Sequence, residues 1–247
     1  MQLSKKYKLS INTIRSKLEK YKINYPEYEP SQTVIIMDTT YFRRGFGVMV
    51  FRDSYGKRNL YWNYVTNETI HLYKQGIRLL KLKGWDIKAV VCDGRRGLFK
   101  AFPGCPVQMC HFHQQMIVRR YLTRNPRTEA GQKLRQLSLF LTSIDKASWC
   151  FSLEQWHLKW GNYIKEKTID PDTGKWHYTH KRLRSAYRSL KTNTPYLFTY
   201  QDYPDLNIPN TTNSLDGSFT NLKSKLRNHS GLKRERKIQF TDHFLAK

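Results

Sequence analysis

Acidic residues are scarce in this chain. Nineteen Asp and Glu stand against 44 Lys and Arg in 247 residues, a formal net charge of +25. A positive field of that size, spread over nearly every segment, favours a polyanionic partner, and nucleic acid is the expected one. Cysteine is scarce too: Cys92, Cys105, Cys110 and Cys150 have neither the density nor the spacing of a disulfide framework. Reduced thiols and an intracellular location are therefore expected. Long apolar runs are missing, since no stretch approaches the ~20 residues of a membrane span. The opening Met1-Gln-Leu-Ser-Lys-Lys lacks the apolar region of a signal peptide. What is present is a hydrophobic share of 39%, enough for one substantial core and a small appendage. Composition alone does not separate an enzyme from a basic binding protein without chemistry.

Residues 1–24 carry a basic amphipathic pattern. Leu3, Tyr7 and Leu9 fit the end of one helix and a turn, and Ser10 is placed to cap a second helix with Ile11, Ile14, Leu18 and Tyr21 on one face. This is the second half of a helix-turn-helix, in which Asn12, Thr13, Arg15 and Lys17 would face DNA, or an ordinary basic helix. The supporting upstream helix is not in the sequence, so a truncated reader and a plain basic helix both stay open. Residues 25–32, with Pro26 and Pro30, read as a linker.

From residue 33 the periodicity changes to that of strands. Thr33–Asp38, Phe46–Arg52 and Arg58–Val65 are rich in β-branched and aromatic residues, with Asp53-Ser-Tyr-Gly56 as a hairpin turn. Thr69–Lys83 has helical spacing and ends at Gly84. A strand over Ile87–Cys92, a short helix over Gly97–Phe102 and a strand over Pro106–Met109 follow. The order β-β-β-α-β-α-β-α is that of ribonuclease H, an α/β class with a mixed five-stranded sheet and flanking helices, its first and fourth strands adjacent. Residues 33–122 are the first part of this core. Residues 123–208 turn helical and aromatic and read as an all-helical insertion. Trp149, Leu153, Trp156, Trp160 and Tyr163 recur at core-like spacing, and Asp170-Pro-Asp-Thr-Gly174 is expected to turn between helices. Residues 209–247 return to the core with a last helix and a tail.

The chemistry centres on Asp93–His113. The apolar run Ala89–Cys92 stops at Asp93, and Thr33–Met37 stops at Asp38, so two strand ends each deliver an acid. Adjacent first and fourth strands would put these carboxylates side by side. Asp216 stands near the start of the last helix, where it is either a third acid or, with Asn213, a capping box. Acids converging in a basic protein repel one another unless divalent cations join them, and Mg²⁺ takes a few carboxylates plus phosphate oxygens and water. Two Mg²⁺ or Mn²⁺ ions would activate a water or a DNA 3′-hydroxyl for in-line displacement at phosphorus, so no protein nucleophile is assigned. Cys105, Cys110 and His113 offer three zinc ligands without an evident fourth, and zinc is not expected. Arg95 and Arg96 beside Asp93, with Arg182, Arg184 and Arg188 among the aromatic residues of the insertion, are candidate DNA contacts.

Asp93-Gly-x-x-Gly-Leu-x-x-Ala-Phe-Pro, Val107-Gln-x-Cys110-x-x-His113 and Thr212-Asn-Ser-Leu-Asp216-Gly together resemble the Mutator-type bacterial insertion-sequence transposases. The resemblance covers most of residues 33–228. It implies a ribonuclease H-like domain whose acidic triad, matched by Asp38, Asp93 and Asp216, is interrupted by a helical insertion. It further implies DNA strand cleavage and transfer, terminal inverted repeats and target DNA as partners, a homo-oligomer on DNA, and a bacterial, nucleoid-associated location. Cys110 and His113 match a structural or DNA-positioning pair. The family usually has Glu where this chain has Asp216, and the shorter arm puts activity in question. The alternative is a DNA-binding protein or regulator without catalysis, either decayed or domesticated.

Overall fold

The computed structural model describes residues 2–247, with side chains from Ser4 onward, so the expectation for the Leu3 side chain lies outside the described residues. The elements in order are α1 (Gln2–Tyr7), α2 (Ile11–Glu19), β1 (Gln32–Arg43), β2 (Phe46–Asp53), β3 (Asn59–Val65), α3 (Ile70–Leu82), β4 (Asp86–Cys92), β5 (Val107–Met109), α4 (His111–Leu122), α5 (Glu129–Leu139), α6 (Lys146–Trp160), β6 (Lys167–Ile169), β7 (Trp176–Tyr178), α7 (Lys181–Leu197), α8 (Thr199–Asp202), α9 (Asn213–Arg227) and α10 (Arg234–Leu245). They fall into two compact units, residues 30–220 and residues 1–29 with 221–247. Among the described residues, no helix is long and apolar enough to cross a membrane.

The larger unit is α/β, with a five-stranded mixed sheet flanked by helices. Its strand order is β3-β2-β1-β4-β5. β1, β2 and β3 pair antiparallel, while β4 pairs parallel with both β1 and β5. The two central strands carry the residues expected of strands covered on both faces: Val34, Ile35, Met37, Ala89, Val90, Val91 and Cys92 are all fully buried. Thr69 caps α3 by accepting from the Leu72 amide at 3.3 Å. Gly84 ends that helix at φ +91°, a conformation open to glycine. The helix lies so close to β2 that a Cβ on Gly76 would meet the Phe51 ring at 2.1 Å.

A second core lies among α4, α5, α6 and α7, and the tryptophan stripe fills it. Trp149, Leu153 and Trp156 are buried there with Leu134, Leu190 and Phe198. Their indole N–H groups are satisfied, Trp149 donating to Thr194 Oγ1 and Trp156 to the Ala130 carbonyl, both at 3.0 Å.

Three local expectations need correction. The insertion is not all-helical: Asp170–Gly174 turns a two-stranded ribbon, β6 against β7, in which Ile169 pairs with Trp176. Its three-residue strands are too short, and too exposed on both faces, to show an alternating apolar pattern. The helix expected over Gly97–Phe102 is a single 3₁₀ turn, Leu98–Lys100, opened by Gly97 at φ +88°. Finally, β1 does not end at Asp38. Thr39-Thr-Tyr-Phe42 extends the hairpin with β2 as far as Arg43. The parallel pairing with β4, however, stops at Ile36 opposite Val91, so Asp38 lies just past the point where the two central strands part.

In the smaller unit, Ser10 caps α2 as its side chain type predicts, accepting from the Thr13 amide at 3.1 Å. The C-terminal end of α2 is fastened to α10: Gln239 donates to the Leu18 and Tyr21 carbonyls, both at 3.1 Å, and Arg236 pairs with Glu19. Asn12, Thr13, Arg15 and Lys17 are all exposed.

Candidate functional site

Asp38, His113 and Asp216 come together in the larger unit, with one potential ligand atom of each lying within 4.8 Å of the others. Each arrives for a local reason. Asp38 rides on β1 and is 7% exposed, its Oδ1 accepting from the Thr39 amide at 2.8 Å. His113 sits in the first turn of α4, whose start is pinned by the Cys110 amide on the Cys92 carbonyl at 2.8 Å and the His111 amide on the Asn210 carbonyl at 2.9 Å. These two bonds clasp β4, the start of α4 and the segment before α9 in one place. Asp216 follows in the first turn of α9. No Asn213 capping box forms there. Instead the buried Thr212 hydroxyl lies 2.9 Å from Asp216 Oδ2 and 3.3 Å from Cys110 Sγ.

Asp93 is placed differently. It follows β4 directly, and its Oδ1 accepts from the Arg95 amide at 3.1 Å. It is not part of the three-residue cluster, yet its charge acts on Asp38. The short Asp216 side chain does reach the cluster. Cys105 does not, and its thiol faces the Pro106 carbonyl at 3.8 Å.

Glu68, to which the sequence drew no attention, belongs to the surroundings. It pairs with Arg95 at 3.1 Å, accepts from the Tyr73 hydroxyl, and interacts electrostatically with Asp93 and His113. It stands one residue before the Thr69 cap in the Asn67-Glu-Thr69 loop, where no motif or periodicity marks it. Arg95 is therefore occupied by an internal partner. Arg182 is also engaged, donating to the Arg120 carbonyl at 2.8 Å, and Arg184 covers the Tyr178 ring at 4.0 Å. Arg96 and Arg188 are exposed.

The electrostatics of the cluster are those of crowded acids with one internal cation. Burial pushes the Asp38 carboxyl up to about 7; His113 opposes this, and the Asp216 and Asp93 charges add to it. Burial works against charging His113, but the Cys110 thiol, by hydrogen bond and charge, together with Asp38 and Asp216, raises it to about 9. Cys110 shows the converse: burial would raise its thiol, while His113 and the Thr212 hydroxyl bring it down. The Cys110 thiol and the His113 imidazole thus favour each other's charged forms, with Asp38 and Asp216 beside the imidazole. Two carboxylate oxygens and an imidazole could together hold a divalent metal ion; the oxygens are the hard donors and the imidazole suits softer ions. A charged His113 binds no metal, so ligation through it requires loss of its proton.

The pH dependence of stability follows. Asp38 holds its proton to about 7 in the folded chain and to about 4 when unfolded. A raised acid contributes stability that is fully present below its unfolded pKa and lost as pH rises through the folded one. Metal-free protein will therefore lose stability, by the order of a few kcal/mol, between about pH 4 and about pH 7. Above that, His113 and Cys110 act in opposite senses, so the acidic window is the diagnostic one. Calorimetric melts in chelator, comparing the native chain with Asp38→Asn, read the effect. An equal pH slope in both proteins would refute it.

The arrangement defines a class: an α/β protein with a mixed sheet, carrying two carboxylates and an imidazole where its central strands part. No protein-family model matches the chain, and no curated protein matches it.

Proposed function

We propose that this chain is a divalent-metal-dependent DNA strand-transfer enzyme on a ribonuclease H-like fold, of the Mutator-type transposase kind. The observation that carries the reading is the meeting of Asp38 and Asp216, far apart in sequence, with His113 within 4.8 Å and Asp93 at the end of the neighbouring strand. The strand order β3-β2-β1-β4-β5, with a hairpin-built antiparallel half and β4 parallel to β1, supports it. So does the +25 charge, which concentrates a polyanion around a small island of acids.

Asp38 and Asp216 would hold Mg²⁺ or Mn²⁺, with Asp93 next to them. The chemistry supplied with a divalent ion held there would be activation of a water or a 3′-hydroxyl and stabilisation of the leaving oxygen of a phosphodiester. Thr212 orients Asp216 through its hydroxyl. Cys110 keeps His113 charged, and an imidazolium beside the acids is a contact for a phosphate oxygen. The exposed basic residues of α2 add sequence-independent attraction.

One observation favours a second reading. His113 already supplies a positive charge among the acids, which suits a DNA-binding protein without catalysis. Incubating the full chain with supercoiled plasmid across Mg²⁺ and Mn²⁺ concentrations separates the two. Nicking that appears only with the metal and leaves 3′-hydroxyl ends is the expected result. Salt-sensitive DNA binding with no nicking at any metal concentration would leave the second reading standing instead.

A further inference from the structure

A groove of about 670 Å³ opens at Gly94, the residue after Asp93, and runs between the 94–100 loop, α4 and α7. Four exposed cations line it, Arg96, Lys100, Arg120 and Arg188, and no acid does. Among the described residues none of the four forms an ion pair, although seven salt bridges form elsewhere. Unpaired cations gathered in one concavity repel each other, a cost that a polyanion removes.

The groove is tied to the acidic cluster through one helix. α4 presents His113 to the cluster and, one and two turns on, Ile117 and Arg120 to the groove, a run of about 10 Å. Gln114, buried next to His113, donates to Ser189 Oγ at 3.2 Å and accepts from Asn193 Nδ2 at 2.8 Å, fixing two groove residues of α7. The groove wall also holds a stacked ring pair, Phe99 and Tyr196, with centroids 4.2 Å apart and planes 17° apart, both only partly buried. Cations that track a backbone next to aromatic faces that accept a base are the elements of single-strand binding, whereas a duplex keeps its bases out of reach of such a wall.

We infer that this groove holds one unpaired DNA strand next to the acidic cluster, through phosphate contacts from Arg96, Lys100, Arg120 and Arg188 and base stacking on the Phe99–Tyr196 pair. Recognition of this kind is indifferent to sequence. The inference rests on the nucleic-acid reading above but not on catalysis.

The test is fluorescence anisotropy of the full chain in chelator, with a labelled oligothymidylate of roughly 20 nucleotides and a duplex of equal length, over a range of salt. The triple variant R96Q/R120Q/R188Q is compared with K74Q/R78Q/K81Q, which removes the same charge from the exposed face of α3. The groove variant is expected to lower the single-strand salt slope by about 2, at ~0.7 for each phosphate left without its cation, and to weaken binding at least about tenfold at ~100 mM salt. Tyr196→Leu should weaken single-strand binding without changing the slope. Melting curves matching those of the native chain confirm that the variants fold. A groove variant with the native slope, an equal weakening in the α3 variant, a larger weakening for duplex than for single strand, or full competition by inorganic triphosphate at equal phosphate concentration would each overturn the inference. All of this is read without metal. Failure of Asp38 and Asp216 to bind Mn²⁺ would sink the strand-transfer reading and leave the groove untouched.

Discussion

Asp38→Asn will cut metal-dependent nicking by about two to three orders of magnitude or more, while DNA binding and its salt dependence persist. The size follows from what the carboxylate does in the proposed reaction. A charge placed where a phosphodiester transition state needs it is worth about 3–4 kcal/mol or more, and each 1.36 kcal/mol is about tenfold in rate. Asparagine keeps the shape and one acceptor, so the Thr39 amide bond at 2.8 Å has a replacement oxygen and the strand is not disturbed. It removes the charge, and with it the attraction for a divalent ion. Binding rests on other residues, the many Lys and Arg whose phosphate contacts set the salt slope. The variant should also be more stable than the native chain at pH 7 without metal, because a buried carboxyl pushed up to about 7 is a cost that the neutral amide does not carry. Three readouts therefore move differently: nicking is lost, binding is kept and metal-free stability is gained. Loss of nicking and binding together would indicate misfolding. Retained nicking would remove Asp38 from the chemistry.

Much of the larger unit is legible in the sequence because its signals are local. The β-branched runs of β1 and β4, the helical spacing of α3 and the tryptophan stripe of α6 each announce an element within a dozen residues. The adjacency of β1 and β4 follows from element order, and Asp38, His113 and Asp216, each singled out by its sequence context, meet in one place. The rest of the site is set by contacts between distant segments. Glu68 gains its place only when Arg95 and Tyr73 close on it, and the Cys110–His113 pair depends on Thr212, about a hundred residues further on. The position of Asp93, close enough to act on Asp38 yet turned to its own Arg95 amide, is decided by a loop conformation that no periodicity encodes. The β6–β7 ribbon is hidden for a different reason: three-residue strands exposed on both faces leave no alternation to read.

Asp53→Ala will destabilise the larger unit by about 3–5 kcal/mol, the largest loss expected from any single surface-turn position. By composition this residue is only the first of an Asp-Ser-Tyr-Gly turn. In the fold it is 2% exposed and collects four bonds: the buried Thr33 hydroxyl at 2.6 Å, the Tyr55 and Gly56 amides at 3.0 Å each, and Arg58 Nε at 3.2 Å. Gly56 is needed for this, since a Cβ there would lie 2.6 Å from Asp53 Oδ2. The carboxylate thus joins the start of β1 to the β2–β3 turn. Truncation leaves two backbone amides without acceptors, each costing about 1–3 kcal/mol, less than additively, and leaves the buried Thr33 hydroxyl only its longer bond to the Val34 carbonyl at 3.2 Å. The partly exposed Arg58 re-solvates and adds little. Asp86 is the control: its pair with Lys88 is shorter, at 2.6 Å, but both side chains are well exposed. Exposed pairs contribute about 0–1 kcal/mol, so Asp86→Ala should be nearly silent. Urea titrations of both variants decide it, with a lower midpoint and unchanged slope for Asp53→Ala alone. Equal midpoints would mean that distance, rather than burial and the number of satisfied donors, sets the contribution of a carboxylate in this sheet.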